Sequence, residues 1–365
     1  MTHSAHDALP LSRGPAPRNR LWLAPLTNTQ SHADGTISED ELRFLTMRAR
    51  GGFGVVMTCA MHVQANGQGF PGQLGIFDDV HVAGLARLAA AIHAHGGVAY
   101  AQLFHGGMRA NAELTGEAPV SATAQERKGA RALALAEVEA LRDAFIAAAL
   151  RAERAGFDGV ELHGAHGYIL AQFLSPTLNT REDRYGGDLA GRARLLLEVL
   201  GGVRDACGPD FTVGVRLSGE RFGITLAEMR TLSAQLLGDA RLDFLELSLW
   251  DSFKEPAEEE HQGRSLLSHF TEHERGGVRL GVAGKIMSGA DVRRALAAGA
   301  DFVSLGRAAI LHHDFPARLG ADADFAARPI PVSAETLRAE GLGDAFVAYM
   351  GGWKGFVAGE ADTPA

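Results

Sequence analysis

A-G-F-D-G-V-E-L-H-G-A-H-G, residues 155–167, runs from a helix end through a short apolar strand into a polar turn. Glycine after alanine closes the helix, because it takes the left-handed backbone that side chains resist. The same order of pieces returns along the chain. GGFGVVMTCA (51–60), HGGVAYAQLFHGG (95–107) and GPDFTVGVRLSG (208–219) are comparable, as are RLDFLELS (241–248), VRLGVAGKIMSG (278–289) and AGADFVSLGRA (299–308). With LWLAP (21–25) this makes eight apolar segments of buried-strand length, none with the strict alternation of a half-exposed sheet.

Helical patterns lie between them. Residues 81–95 set Val82, Leu85, Leu88 and Ile92 on one face, and 136–155 do the same with Val138, Leu141, Phe145 and Ala149. Stretches 190–206, 225–239 and 289–298 read likewise, the last with Ser288 as N-cap. Eight strands alternating with helices predict an α/β fold, a (β/α)8 TIM barrel. An open doubly wound sheet would carry a Gly-rich dinucleotide turn after its first strand, where T-N-T-Q-S-H stands instead. The expected organisation is a single domain over 1–365. Residues 1–18 lead in, long loops fall at 104–135 and 249–277, and 330–365 form a C-terminal extension.

Composition narrows the function classes. The chain of 365 residues carries a formal charge of −9, against a surface built for nucleic-acid backbones. No apolar run approaches the ~20 residues of a membrane span. The first twenty residues lack the apolar core of a signal peptide, so a cytoplasmic location is expected. Two cysteines, Cys59 and Cys207, are too few for a disulfide framework, a four-cysteine zinc site or an iron–sulfur cluster. The 45 glycines have no short period and fall mostly at strand–helix turns.

Active sites of such barrels lie at the C-terminal ends of the strands. That rule selects Pro25, Leu26 and Thr27; Cys59 and Ala60; Gln102 with His105; His163 with His166 and Tyr168; Arg216; Ser248; Gly284 and Lys285; and Gly306 and Arg307. The last two ends resemble a phosphate pocket, with glycine amides, a helix start and a guanidinium. Arg216 among core-facing residues needs an anion: either a ligand at the barrel mouth or an internal carboxylate such as Glu161 or Glu246. His163 and His166 suit a hydrogen-bonding clamp for an oxygen. A metal site would need more ligands, with His105 the nearest candidate. Tyr168 has an ordinary pKa near ~10 and suits a general acid.

N-R-L-W-L-A-P-L-T (19–27), A-Q-L-F-H-G-G (101–107) and G-F-D-G-V-E-L-H-G-A-H-G-Y-I-L-A-Q-F-L-S-P (156–176) resemble the Old Yellow Enzyme family of flavin-dependent ene-reductases. N-T-R-E-D-R-Y-G-G (179–187), V-G-V-R-L-S and S-L-G-R-A follow in the family's order, and the resemblance runs from about residue 10 to 355. It implies non-covalent FMN, with NADPH or NADH as reductant and an activated alkene as oxidant. Gly284, Lys285, Gly306 and Arg307 would take the phosphate, and Arg216 and Gln102 the pyrimidine edge. Pro25, Leu26, Thr27 and Ala60 would border the ring. His163 and His166 would clamp the alkene's activating oxygen and Tyr168 would protonate the α-carbon, with Trp250 in a loop over the site. Thr27 and Thr29 stand where one branch of the family has cysteine and tyrosine, and Met108 intervenes before Arg109. A homo-oligomer is compatible with the family; no metal, nucleic-acid or membrane partner is expected.

Overall fold

In a computed structural model, residues 4–359 are described. Eight parallel strands close on themselves: β1 Leu21–Leu23, β2 Val55–His62, β3 Val98–Phe104, β4 Gly159–Gly164, β5 Thr212–Ser218, β6 Phe244–Ser248, β7 Arg279–Ala283 and β8 Phe302–Leu305. Each pairs with its sequence neighbours, and β1 pairs with both β2 and β8. The expected TIM barrel is therefore the observed fold.

The expected helices form as Val82–His93, Leu135–Arg154, Leu189–Ala206, Leu226–Leu237 and Gly289–Ala297. A further helix, Glu39–Arg50, joins β1 to β2 and is capped by Ser38, whose side chain accepts from the Glu41 amide. Ser288 caps its helix as expected, accepting from the Asp291 amide. One boundary moves. β2 continues past Ala60 to His62, with a register shift against β3 between Met57 and Ala60. Such an irregularity re-aims side chains near a site. The loop 104–135 is not bare; it holds a two-stranded ladder, Val120–Ser121 with Arg131–Ala132.

Alternation along the strands stacks the barrel interior in layers. The lowest holds Trp22, Val55, Met57, Val98, Tyr100, Phe244 and Phe302, closed from below by Leu9 of the lead-in. Trp22 stacks on Phe302 with ring centroids 3.6 Å apart and meets Phe244 edge-on at 5.1 Å. Phe244 and Phe302 fit only because one strand neighbour of each lacks a side chain. Gly214 pairs with Phe244 and Gly281 lies beside Phe302; a Cβ at either would come within 2.0 Å and 2.1 Å of a ring carbon. Two residues further along the strands the interior turns polar, with Gln102, Glu161, Arg216, Glu246 and Ser304, all buried. Another step brings His163, Ser218 and Ser248 to the mouth.

Both cysteines are buried and free. Burial pushes the Cys207 thiol up to about 12, so it carries no thiolate at neutral pH.

Gly281→Ala should destabilise the protein by about 1–3 kcal/mol or more, since the stacked Trp22 and Phe302 rings leave no room to repack. Gly238→Ala is the control: its φ is −91° and its nearest new contact would be 3.7 Å away. Thermal unfolding of the two variants checks this, with a clear loss of Tm expected only for the first.

Candidate active site at the barrel mouth

A cleft of about 270 Å³ opens at the C-terminal ends of the strands, with Pro25, Leu26, His166, Arg216, Trp250, Gly284, Lys285, Gly306 and Arg307 on its walls. Ala24, Ala283, Ser248 and Ser304 add small side chains to its lining.

One end of the cleft is built for an anion. Gly284 has φ 155° and its missing Cβ would meet Ser252 Oγ at 2.9 Å, so only glycine brings the chain this close. The Gly284, Lys285 and Gly306 amides donate to no described residue. Arg307 has no hydrogen bond or ion pair among the described residues. Lys285 Nζ lies 2.9 Å from Asp251 Oδ2, which tethers it to the loop after β6.

The interior beneath the cleft is charged. Arg216 Nε sits 2.7 Å from Glu246 Oε1, yet neither atom makes a directed hydrogen bond, so charge rather than geometry joins them. Glu246 Oε2 accepts from Ser304 Oγ. Gln102 Nε2 donates to Glu161 Oε1 at 2.7 Å, while Glu161 Oε2 has no partner among the described residues. Burial, and then the Glu246 charge, pushes the Glu161 carboxyl well above its usual range. Of the two anions open to Arg216 in the sequence, the internal carboxylate is present, and the guanidinium still reaches the cleft wall.

At the end of β4 the rings of His163, His166 and Tyr168 gather. His163 Nε2 and His166 Nδ1 are 3.0 Å apart, and His166 Nε2 is 2.8 Å from Ser248 Oγ. The two imidazoles thus stand in series rather than as parallel donors. His166 has φ 59°, unusual for a residue with a side chain, and Ser218 Oγ accepts from its amide at 3.0 Å. Burial, then the Arg216 charge, lowers His163 to about 3; burial, then His163, holds His166 well below its ordinary value. Both rings are neutral at pH 7. Each then has one N–H and one lone pair, and His163 Nδ1 is buried without a partner.

Tyr168 packs edge-on against Phe104 and His163, with centroids 4.4 Å and 5.0 Å away. Arg109 lies over the ring at 4.6 Å and donates to the His166 carbonyl at 2.6 Å. Burial raises the phenol's pKa and Arg109 opposes the rise, so the proton is kept at neutral pH. The Met108–Arg109 departure therefore delivers a guanidinium to this cluster.

Not every expected residue lines the cleft. Gln102 is buried and committed to Glu161, and the Ala60 carbonyl accepts from Gln73 Nε2 at 2.6 Å. Thr27, His163 and Tyr168 also stand off its walls. His105 does not join the histidine pair. Its Nε2 is 3.2 Å from Asn66 Oδ1 and its Nδ1 accepts from the Gly107 amide, so it offers no third metal ligand. Sequence reasoning missed Trp353, which lines the cleft from the C-terminal extension and is 43% exposed. Trp250 is 64% exposed at φ 63°, with Arg221 at 5.5 Å from its ring.

A family model described as the NADH:flavin oxidoreductase / NADH oxidase family matches residues 15–324. A Bacillus subtilis (strain 168) protein named "Probable NADH-dependent flavin oxidoreductase YqiG" is 38% identical over 300 residues, 79% of this chain and 80% of its own. A Thermoanaerobacter brockii "NADH oxidase" is 32% identical over 82% of this chain, which spans only 48% of that longer relative. Among solved structures, an old yellow enzyme homologue from Zymomonas mobilis superposes with TM-score 0.79 at 28% identity, covering 94% of this chain and 99% of that one. Morphinone reductase in complex with tetrahydroNAD gives 0.77 at 28%, over 92% and 94%. Among the described residues, no helix is long and apolar enough to cross a membrane.

The lowered histidines make stability depend on pH. An unfolded histidine titrates near ~6.5, whereas folded His163 does so at about 3. Its contribution is complete above ~6.5 and is lost as pH falls toward 3, at up to about 1.4 kcal/mol per pH unit. His105, at about 3, and His62, at about 4, act in the same direction. Urea unfolding between pH 7 and 4.5 should give a slope shallower by one proton in His163→Asn than in the wild type. Equal slopes would contradict a neutral buried His163.

Proposed function

Since the chain belongs to the NADH:flavin oxidoreductase / NADH oxidase family, with FMN as cofactor and NADH or NADPH as reductant, we propose that it reduces the C=C bond of activated alkenes such as enones and enals. When bound, FMN supplies hydride from the nicotinamide to the β-carbon of the alkene. The residues fit that group. The Gly284, Lys285 and Gly306 amides have no partner among the described residues, Arg307 has no counter-ion there, and a Cβ at Gly284 would close the cradle. These four would hold the phosphate. Arg216 would favour the negative charge that arrives with reduction, and Pro25 and Leu26 would wall the ring.

The observation that carries the proposal is the joint position of the neutral His163–His166 pair and the protonated Tyr168 beside Arg216. A neutral imidazole donates a hydrogen bond to a carbonyl oxygen without handing over a proton, which suits polarisation of an enone. To hold such an oxygen, His166 exchanges its contact with Ser248, and His163 exchanges its contact with His166. Tyr168 then gives its phenolic proton to the α-carbon, and Arg109 over the ring stabilises the phenolate left behind. The exposed Trp250 and Trp353 at the rim cover an apolar substrate. We further propose that Gln102, Thr27 and Ala60 meet the flavin's pyrimidine edge and N5 side, and that the unit is one domain working in the cytoplasm.

Purified protein should have the visible spectrum of oxidised flavin; a colourless protein would contradict the proposal. In stopped flow, Tyr168→Phe should slow oxidation of the reduced enzyme by an enone about 10²-fold or more, while reduction by the nicotinamide changes little. Equal slowing of both half-reactions would remove the tyrosine from its role.

A further inference from the structure

Three ionisable side chains share the buried layer beneath the cleft, and their formal charges do not cancel. Arg216 brings one positive charge; Glu161 and Glu246 bring one negative charge each, and both carboxyls are fully buried. Glu246 has the guanidinium at 2.7 Å and the Ser304 hydroxyl on its other oxygen. Glu161 has one donor, Gln102, and a second oxygen with no partner among the described residues. An ionised carboxylate left in that condition is strongly disfavoured, whereas a protonated one is not.

We propose that Glu161 is a positioning residue that holds a proton at neutral pH, keeps the Arg216–Glu246 pair electrically balanced, and thereby sets how the cofactor's reduction responds to pH. The proposal rests on the FMN reading above. Glu161 is faced by Gln102 on β3, His163 two residues along β4, Arg216 on β5, Glu246 on β6 and Ser304 on β8. Thr58 on β2 accepts from the Gln102 amide at 3.1 Å. The inward residues of β7 and β1 at this height, Gly281, Ala283, Trp22 and Ala24, do not titrate. Of these neighbours only Arg216 and Glu246 are charged, since His163 is neutral. Burial and Glu246 both favour the protonated form of Glu161.

The step balances simply. At a pH where Glu161 has lost its proton, two electrons entering the cofactor add negative charge near Arg216, and one proton from solvent returns to the Glu161 carboxylate. The electrons come from the nicotinamide or from an electrode. Glu161 touches neither substrate nor the transferred hydride.

Infrared difference spectra of the holoenzyme at pH 7 test the proton directly. Glu161→Gln should lose a protonated-carboxyl band relative to the wild type; loss of an ionised-carboxylate band instead would overturn the proposal. Should Glu161→Gln fail to fold, Glu246→Gln serves. It leaves Glu161 as the remaining carboxylate of the trio opposite Arg216, so Glu161 should ionise and the same band should vanish. A band that persists overturns the proposal equally. In electrochemical titrations, the wild-type midpoint potential should fall more steeply with rising pH on the alkaline side than that of Glu161→Gln, by ~30 mV per pH unit for one proton per two electrons. Parallel lines would overturn the coupling. Flavin-free purified protein would defeat the FMN reading, while the infrared result would still decide Glu161.

Discussion

Arg216 and Glu246 meet at 2.7 Å inside a closed barrel, where Glu246 is fully buried and Arg216 is open only toward the cleft. Removing one partner of such a pair leaves the other uncompensated, at a cost of about 3–5 kcal/mol. The constraint reaches both ways along the strands. Below, the pair rests on the Trp22, Tyr100, Phe244 and Phe302 layer, whose packing requires Gly214 and Gly281. Above, the guanidinium faces the cleft and helps keep His163 neutral, the state that the proposed oxygen clamp requires. In the proposed reaction that division leaves acid chemistry to Tyr168.

Much of this was legible in the residues. Eight apolar segments with glycine-marked ends gave the barrel, because a strand covered on both faces reads as a continuous apolar run. The rule that barrel sites lie at strand ends then selected His163, Arg216, Gly284, Lys285, Gly306 and Arg307 before any geometry was known. Ser288 was readable because an N-cap is a local interaction, satisfied within three residues.

What stayed hidden depends on long-range packing or on rotamers. Trp353 reaches the cleft from the far end of the chain, and no spacing in M-G-G-W-K-G-F encodes that approach. The left-handed backbone of His166 turns its ring onto Ser248, so the two histidines stand in series although i and i+3 spacing reads as a pair of parallel donors. Gln102 was placed correctly on β3, but its amide bonds Glu161, a partner 59 residues away. Arg109 illustrates the reverse. An apparent departure from the family's pattern brings a cation over Tyr168, where it offsets the effect of burial on the phenol.

In the proposed reaction the cleft holds the phosphate at Gly284, Lys285, Gly306 and Arg307, and an oxygen ligand sits on His166 at its wall and on His163 just behind it. A crystal structure of the flavin-loaded protein with a bound phenol tests it most directly. Phosphate oxygens should lie on the glycine amides and Arg307, and the phenol oxygen on both imidazoles, with the His166–Ser248 contact broken. Phosphate bound elsewhere, or a phenol that leaves the His166–Ser248 contact intact, would contradict it.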